Sequence, residues 1–288
     1  MTEVDVASRT ADVPRATVSG RVFTSYDEAL RESGAALVYV STRNHEHVPW
    51  VMAALQSGRH VVVDKPAALS VADSEAMAEE AARRGLLVAE ANVWAWHPQI
   101  EVVRRLAIDR GPLTRVSAMF VVPALGRPNY RYEAACGGGV LWDLGPYAVS
   151  CGREFFGEPA QAISATAVVP EGEEVDTSFS VLMRYPGDRV LTGHFGMPLA
   201  YWNRLDLGGP RFALTIERAF TTSADAPARI VEWTDGTPSV IDVPAADAFA
   251  CFLSAVGDAI RSGACDRFVS PLVADARMLG RLRQAAGR

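Results

Sequence analysis

The sequence predicts an α/β protein in which a parallel-sheet domain of the doubly wound class precedes an α+β domain with a large, open, mostly antiparallel sheet. The first third of the chain alternates short apolar runs with amphipathic helical stretches, which is typical of a parallel sheet covered on both faces. Beyond about Ile100, strand-like runs are separated by turn residues such as Pro186-Gly187-Asp188. The length of 288 residues suits two domains.

The first domain is predicted to comprise residues 1–95 together with a C-terminal helix of about residues 266–288. Its apolar, β-branched runs predict four strands: Val4–Ser8, Ala36–Ser41, His60–Asp64 and Leu86–Ala89. Helical periodicity predicts three helices between them: Tyr26–Ser33, His47–Ser57 and Ser70–Arg84. Ser70 and Asp73 cap the last of these helices, and Gly85 ends it.

The second domain is predicted to comprise residues 96–265. A helix over Ile100–Asp109 leads to a strand over Arg115–Val122, and a helical stretch is expected around Leu141–Phe156. Period-2 alternation then predicts six strands: Ala162–Val169, Thr177–Tyr185, Arg189–Phe195, Leu205–Leu207, Phe212–Arg218 and Ile230–Thr234. The chain ends on two predicted helices, Asp247–Ser262 and Pro271–Ala286.

The composition excludes several classes of protein. A net charge of −6 argues against broad binding to nucleic acid or to anionic membranes, although a few local arginines suffice for a phosphorylated substrate. No apolar run approaches the ~20 residues of a membrane span, and the start lacks a secretion signal, so a cytoplasmic protein is expected. The four cysteines form no C-x-x-C pair and are expected to be free thiols. No residue cluster suggests a metal site.

The first segment that suggests chemistry is Ser41-Thr42-Arg43-Asn44-His45-Glu46-His47, which follows a predicted buried strand. Ligands of doubly wound sheets bind at the carboxyl edge, where backbone amides and helix N-termini point into a crevice. Turn-forming residues produce the same composition, so this segment alone leaves a binding site and an ordinary turn open.

The second segment is Asp64-Lys65-Pro66, directly after the apolar run Val61-Val62-Val63. A lysine here lies at the same sheet edge, where its charge can orient or polarise a carbonyl group. The following proline fixes the backbone and is a candidate for a cis peptide bond. A surface lysine at a strand exit is the alternative.

The third segment runs from Cys136 through three glycines to Tyr147. Glycines permit close backbone approach just before a helix. Asp143 and Tyr147 are four residues apart and would share one helix face, although Pro146 requires the helix either to start near Gly145 or to be kinked. A tyrosine beside a cation is a workable general acid, whereas a tyrosine packed in a core helix is the other interpretation.

Taken together, these motifs resemble the Gfo/Idh/MocA oxidoreductases. The resemblance rests on S-T-x-N-x-x-H after a strand, on Ala53-Ala54-Leu55-Gln56-Ser57-Gly58-Arg59-His60-Val61, and on Asp64-Lys65-Pro66. It continues through Trp94–Pro98 and Gly137–Tyr147 to Gly157-Glu158-Pro159, so it covers nearly the whole chain. Tyrosine where many members carry histidine, together with Asn129-Tyr130-Arg131-Tyr132 and Ile216–Thr221, resembles the branch that reduces keto groups of nucleotide-linked deoxysugars.

The resemblance implies a Rossmann domain that binds NAD or NADP, and an open-sheet domain that covers the nicotinamide and forms the oligomer interface, in a dimer or tetramer. It implies catalytic roles for Lys65, Tyr147 and Asp143. The substrate, a sugar or nucleotide sugar, is expected to contact Lys65, Trp94, Arg131, Asp143 and Tyr147, with Arg131 or Arg127 meeting a diphosphate. The cofactor is expected to contact Ser8, Arg9, Ser41, Thr42, Asn44, His47, Asp64, Lys65, Pro66 and Asn92.

The chain departs from the family at its start. Members open with a strand and a G-x-G-x-x-[GA] turn, but this sequence contains no G-x-G-x-x-G, and Val4–Ser8 already corresponds to the second strand. We therefore expect a truncated Rossmann-like sheet and weakened dinucleotide binding. A mis-assigned start codon, a truncated gene and a homologue that has abandoned dinucleotide binding are the competing explanations. Ser8 and Arg9 suit the 2′-phosphate of NADP better than the ribose of NAD.

Three functions are consistent with this sequence. The first is hydride transfer between a nicotinamide and a sugar carbon, with Tyr147 exchanging the hydroxyl proton, Lys65 orienting it and Asp143 positioning the pair. The second is a cofactor-free sugar-binding or regulatory homologue. The third is a non-redox lyase or isomerase that uses Lys65 and Tyr147 as base and acid.

Overall fold

A computed structural model describes residues 3–9 and 18–288. The first part of the chain forms two small parallel sheets, one of β1 and β2 and one with the order β3-β4-β5. Three helices connect these strands. The strands are β1 (Val6–Ala7), β2 (Val22–Phe23), β3 (Leu37–Val40), β4 (His60–Val63) and β5 (Val88–Glu90), and the helices are α1 (Tyr26–Glu32), α2 (His47–Gln56) and α3 (Val71–Arg84).

Burial explains why these short runs become strands. Val61, Val62 and Val63 of β4 are completely buried because helices cover both faces of the three-stranded sheet. The Ser70 side chain accepts a hydrogen bond from the Asp73 backbone N–H at the start of α3, and Gly85 ends that helix with a φ of 66°. These caps fix where the chain re-enters the sheet.

The second part forms an eight-stranded sheet with the order β13-β12-β11-β10-β6-β9-β8-β7. All neighbours are antiparallel except β6 and β9, which are parallel. The strands are β6 (Arg115–Val121), β7 (Ala162–Val168), β8 (Ser178–Tyr185), β9 (Arg189–Gly196), β10 (Trp202–Gly209), β11 (Phe212–Glu217), β12 (Ala228–Thr234) and β13 (Thr237–Val243). The predicted fold class is confirmed.

Five further helices pack on these sheets: α4 (Pro98–Arg110), α5 (Val140–Asp143), α6 (Gly145–Phe156), α7 (Ala248–Ser262) and α8 (Asp266–Ala285). A large core lies between α6 and one face of the eight-stranded sheet, and it includes Phe179, Phe195 and Ile216. Helix α8 contacts both α3 and α6, so it joins the two parts of the chain.

Three details of the sequence prediction are corrected. The helical stretch around Leu141–Phe156 is two helices, because Pro146 lies in the first turn of α6, where its missing N–H costs nothing. Strands β2 and β13 were not predicted. Helix α8 begins at Asp266, with Pro271 inside it, rather than at Pro271.

The predicted domain boundaries, residues 1–95 with 266–288 and residues 96–265, remain a prediction. Helix α7 belongs to the second of these ranges, yet its Phe252 and Val256 pack in one cluster with Val62 and Leu87 of the parallel-sheet region. No helix in the part of the chain covered by the structure is long and apolar enough to cross a bilayer.

Candidate active site

Lys65 lies two residues beyond β4, at the carboxyl edge of the three-stranded sheet. Its Nζ donates hydrogen bonds to Asp143 Oδ1 at 2.7 Å and to the Asp143 main-chain oxygen at 2.6 Å. Burial disfavours the charged amine, but the Asp143 carboxylate outweighs it, so the pKa of Lys65 is raised. The Lys65–Pro66 peptide bond is cis. Lys65 is therefore a fixed cation at this edge.

Asp143 ends α5 and is shared by two cations. In addition to Lys65, the Nε atom of Arg131 lies 3.2 Å from Asp143 Oδ1. Burial would raise the pKa of Asp143, but Lys65 and Arg131 together overcome it and hold the pKa below the usual range. The carboxylate stays ionised and joins a lysine from one part of the chain to an arginine from the other.

Tyr147 lies in the first turn of α6 with its ring against this cluster. The Lys65 Nζ lies 5.3 Å from the ring centroid, and the ring packs edge-on against Phe120 at 5.1 Å. Burial raises the pKa of Tyr147, while Lys65 opposes that shift. The phenol is thus protonated near neutral pH, and its ring lies beside the Lys65 ammonium.

The spacing of Asp143 and Tyr147 suggested one shared helix. They lie on separate helices, because α5 ends at Asp143 and α6 begins at Gly145, with Leu144 between them. The glycine segment sets this geometry. A Cβ on Gly139, where φ is 105°, would lie 2.6 Å from Asp176 Oδ1. Asp176 in turn accepts a hydrogen bond of 2.6 Å from the Leu141 backbone N–H at the start of α5. Glycine is required where the backbone passes this carboxylate.

The segment after β3 contacts the glycine loop. The Asn44 side-chain amide is buried and donates to the Gly137 main-chain oxygen at 2.9 Å. Both ring nitrogens of the fully buried His47 face main-chain oxygens, of Pro66 at 2.9 Å and of Thr42 at 3.1 Å. Asn44 and His47 therefore hold the local backbone together, whereas Ser41 is exposed at the same edge.

Three other predicted site residues, Asp64, Asn92 and Trp94, form hydrogen bonds with other parts of the chain. The Asp64 carboxylate accepts a hydrogen bond from the Tyr39 hydroxyl, and the buried Asn92 amide donates to the Pro146 main-chain oxygen at 3.2 Å. Trp94 is almost completely buried and donates to Ser150 Oγ at 3.0 Å, so it supports α6 from the core.

Ser8 and Arg9 follow β1, and Arg9 contacts the segment after β3. The Arg9 guanidinium lies 2.5 Å from Glu46 Oε1 and over the Tyr26 ring, 5.1 Å from its centroid. The structure thus brings Arg9 to the same edge as Thr42, although the two strands belong to separate sheets.

The arrangement at this edge fits a dinucleotide. The Thr42 hydroxyl oxygen, at the carboxyl end of β3, has no hydrogen-bond partner in the described part of the chain. The neighbouring polar groups and the Lys65 ammonium lie at the carboxyl edge of the sheet, which is where parallel sheets bind nucleotides. These residue types suit phosphate and ribose groups.

Two observations add to the predicted site. Phe220 packs against Tyr147, with ring centroids 5.3 Å apart; its segment, Ile216–Thr221, was singled out only for its resemblance to one branch of the family, and no contact with Tyr147 was predicted. Composition does carry a signal for Lys65, because it is the only lysine among 288 residues, where 27 other positions carry arginine. Lysine differs from arginine in carrying a compact ammonium on a flexible stem.

Comparison with known proteins agrees with this geometry. Residues 4–91 match the Gfo/Idh/MocA oxidoreductase family, NAD-binding Rossmann fold, and residues 108–218 match the Gfo/Idh/MocA C-terminal domain.

Among curated relatives, the dTDP-3,4-didehydro-2,6-dideoxy-alpha-D-glucose 3-reductase of Saccharopolyspora spinosa is 30% identical over 240 residues, which cover 83% of this chain and 72% of the relative. The enzyme of the same name from Streptomyces violaceoruber is 31% identical over 264 residues, covering 89% and 77%. The crystal structure of KijD10, a 3-ketoreductase from Actinomadura kijaniata, in complex with NADP and TDP-benzene, matches with a TM-score of 0.93 and 26% identity. That match covers 98% of this chain and 89% of KijD10. The chain belongs to the Gfo/Idh/MocA family of oxidoreductases.

Proposed function

We propose that this chain is an NADP-dependent ketoreductase that transfers a hydride between nicotinamide and a carbon of a nucleotide-linked keto sugar. The observation that carries the proposal is the ion pair between Lys65 and Asp143, 2.7 Å long, beside the ring of a protonated Tyr147. It supports the proposal because proton transfer to a carbonyl oxygen calls for a neutral phenol beside a fixed cation, near the sheet edge that binds nucleotides.

The residues of the chain would handle the proton, and bound NADPH would supply the hydride to the carbonyl carbon. As the carbonyl oxygen gains negative charge, Tyr147 donates its phenolic proton to that oxygen and is later reprotonated from solvent. The Lys65 ammonium stabilises the negative charge on both oxygens. Asp143, itself paired with Arg131, holds Lys65 in place, so that the cation does not need to reorganise during the reaction.

We infer the class of substrate from the names of the relatives and from the positive charge of Arg131 and Arg127. The relatives from S. spinosa and S. violaceoruber are named as dTDP-linked sugar reductases, and KijD10 was crystallised with NADP and TDP-benzene. Arg131 is the cation we assign to the diphosphate, since its guanidinium is only partly used by Asp143. Arg127 is paired with Glu173 at 2.6 Å and is a second choice. Trp94 would act only indirectly, through α6.

The cofactor would be held along the carboxyl edges of β1, β3, β4 and β5. We assign the NADP 2′-phosphate to Ser8 and Arg9, and the remaining contacts to the other predicted cofactor residues: Ser41, Thr42, Asn44, His47, Asp64, Lys65, Pro66 and Asn92. Asn44 and His47 would contribute mainly by shaping the backbone, because their side chains bind main-chain oxygens. We further propose that these 288 residues bind NADP(H) weakly, since their sequence has no G-x-G-x-x-G turn to bind the pyrophosphate.

The outer face of the eight-stranded sheet supports a homo-oligomer, a dimer or a tetramer. It exposes large apolar side chains on several strands, such as Leu182, Trp202 and Trp233. Such side chains on one sheet face favour association of copies. We also propose a cytoplasmic location, with which the four free cysteines are consistent.

The test is an assay of NADPH consumption with a dTDP-linked 3-keto sugar, at NADPH concentrations up to the millimolar range, using the whole chain. The proposal expects consumption of NADPH that depends on the sugar. If the sugar raises the melting temperature without turnover, the binding-protein alternative is favoured. Conversion of the sugar without NADPH consumption would favour a lyase or isomerase.

A further inference from the structure

The peptide unit between Pro66 and Ala67 begins one residue after Lys65, and both of its polar atoms have buried or half-buried side-chain partners. The Pro66 oxygen lies 2.9 Å from His47 Nδ1. The Ala67 N–H donates to Glu90 Oε1 at 2.8 Å. His47 begins α2, whereas Glu90 ends β5, so the two partners approach this peptide unit from different elements that flank β4.

This contact matters because the backbone on the other side of Lys65 is already fixed by the sheet. The Asp64 N–H donates to the Val40 oxygen at 2.9 Å, and the Val63 oxygen accepts from the Ala91 N–H at 2.8 Å. Beyond Lys65 the chain has left the sheet, and the partners of the Pro66–Ala67 peptide are side chains. A lysine ammonium sits on a flexible four-carbon stem, so its position depends on how firmly the backbone of the lysine is held.

We propose that Glu90 and His47 are positioning residues for Lys65, which clamp the Pro66–Ala67 peptide and thereby aim the ammonium at Asp143. The catalytic meaning of this clamp rests on the proposed function, but the clamp itself does not. Neither side chain is assigned contact with the reacting atoms. Glu90 was absent from the residues singled out in the sequence, and His47 was expected to contact the cofactor.

The strength of the clamp depends on whether Glu90 is protonated, and the surroundings of Glu90 determine its pKa. Burial, and then the negative charge of Asp275 on α8, raise the pKa of Glu90 to about 7, while the Ala67 amide, Arg153 on α6 and Lys65 oppose the shift. Glu90 also lines a cavity of about 220 Å³ together with Arg104, Arg153, Glu154, Arg267 and Asp275. An ionised carboxylate accepts roughly twice as strong a hydrogen bond as a neutral group.

His47 is the second half of the clamp. Burial lowers its pKa, although the Pro66 and Thr42 main-chain oxygens favour the charged ring. A neutral imidazole has one N–H and can donate to only one of these two oxygens at a time. Replacement of the ring by phenylalanine removes both nitrogens and keeps most of the volume.

The single lysine makes a direct test possible. In protein grown with lysine labelled with nitrogen-15 at Nζ, a spectrum of the side-chain ammonium contains one signal, from Lys65. Glu90→Met removes the acceptor and is accommodated by the adjoining cavity, whereas Glu90→Gln keeps a neutral acceptor for the Ala67 N–H. Glu80→Met is the control, since Glu80 is another glutamate of the same region, on α3, whose carboxylate pairs with Arg83 and Arg84 rather than with the segment around Lys65.

We expect Glu90→Met and His47→Phe to move the Lys65 signal and to speed exchange of its ammonium protons, Glu90→Gln to restore most of the wild-type behaviour, and Glu80→Met to have no effect. In the NADPH assay, Glu90→Met should lower kcat at least about 10-fold with little change in the KM of the sugar, and Glu90→Gln should stay within about threefold. His47→Phe gives an independent result if Glu90→Met does not fold.

An unchanged Lys65 signal in a folded Glu90→Met or His47→Phe protein would overturn the clamp, as would an equal change in Glu80→Met. If no variant and no wild-type protein shows turnover, the proposed function fails. The lysine signal still decides the clamp in that case.

Discussion

The two sheet regions of this molecule contribute differently to the site. The eight-stranded sheet is continuous, with each inner strand paired on both sides, and it supports α6 with Tyr147. The parallel-sheet region is divided into a pair and a triplet of strands, so β3 is an edge strand and its Tyr39 is 41% exposed. The substrate side is therefore built on a closed core, whereas the dinucleotide side is built on short sheets with open edges.

The difference shows which interactions hold the site together. Lys65 comes from the divided region, and Asp143 and Tyr147 come from the part of the chain that packs on the continuous sheet. The ion pair of Lys65 and Asp143 and the Asn44–Gly137 hydrogen bond of 2.9 Å connect the two. Changes at Tyr147 on the eight-stranded side should thus affect proton transfer. Changes on the parallel side should affect cofactor binding, except those at Glu90 and His47, which act on Lys65.

Tyr147→Phe should have the largest effect on turnover, and it changes only the part of the site that packs on the continuous eight-stranded sheet. The ring contacts with Phe120 and Phe220 are retained, so folding should be intact, while kcat falls about 10²–10⁴-fold because the proton donor is lost. Steady-state NADPH consumption measures this. Tyr185→Phe is the matched control, since Met183 Sδ is the one hydrogen-bond partner of that buried hydroxyl among the described residues and its loss should leave kcat unchanged. Turnover within a few-fold of wild type would remove Tyr147 from the mechanism.

Fusion of a glycine-rich phosphate-binding turn to the chain should change cofactor binding by the parallel-sheet region and nothing else. Adding a strand, a G-x-G-x-x-[GA] turn and a helix from a family member before residue 1 should tighten NADPH binding about 100-fold, because backbone amides then bind the pyrophosphate. Fluorescence titration with NADPH gives the Kd. The control is the same fusion with its first two glycines replaced by valine. Tight binding by the unfused chain would contradict the proposed weak binding.

Glu90 predicts a dependence of stability on pH. Its usual pKa is 4.5 and its pKa in the folded chain is about 7, so the folded state binds more protons between these values and the free energy of unfolding falls as pH rises through that range. Glu90→Gln should therefore be more stable than wild type above pH 7, by about 1–3 kcal/mol, and equal to it near about pH 4. Urea unfolding at both pH values measures the difference. A difference that does not vary with pH would show that the raised pKa is wrong.

Arg9→Ala should have the smallest effect and sharpen the assignment of NADP. If Arg9 binds the 2′-phosphate, the ratio of kcat/KM for NADPH to that for NADH should fall about 10-fold, with the KM of the sugar unchanged. Arg21→Ala is the matched control, because Arg21 is also exposed in this region and pairs with Asp5 at 3.3 Å. An equal loss with NADH would indicate general damage to the edge rather than phosphate recognition.

Much of the fold was predictable because burial leaves a strong pattern. The run Val61-Val62-Val63 predicts a strand buried on both faces, and Ser70 with Gly85 predicts both ends of α3. Strand β2 has only two residues, too few for any periodicity. Strand β13 contains Pro238 and mostly exposed side chains, so neither composition nor alternation indicates it.

The site was predictable only in part, because roles depend on contacts between distant segments. Lys65, Asp143 and Tyr147 were singled out from motifs. The spacing of Asp143 and Tyr147 suggested one shared helix face, whereas Pro146 left open a helix that starts near Gly145, which is where α6 begins. The sequence could not distinguish a ligand-facing His47 from one whose nitrogens face the Pro66 and Thr42 oxygens. Glu90 carried no signal at all, since its partner is a backbone amide.

The single lysine also governs how this protein behaves in alkaline solution and towards amine reagents. Ordinary proteins lose positive charge above about pH 10 as lysines deprotonate, whereas the 27 arginines here keep theirs until well above about pH 12. Amine-directed dyes, crosslinkers and activated resins find only the α-amino group and one ammonium already engaged by Asp143. Among its side chains, such chemistry would therefore modify this protein at a single position.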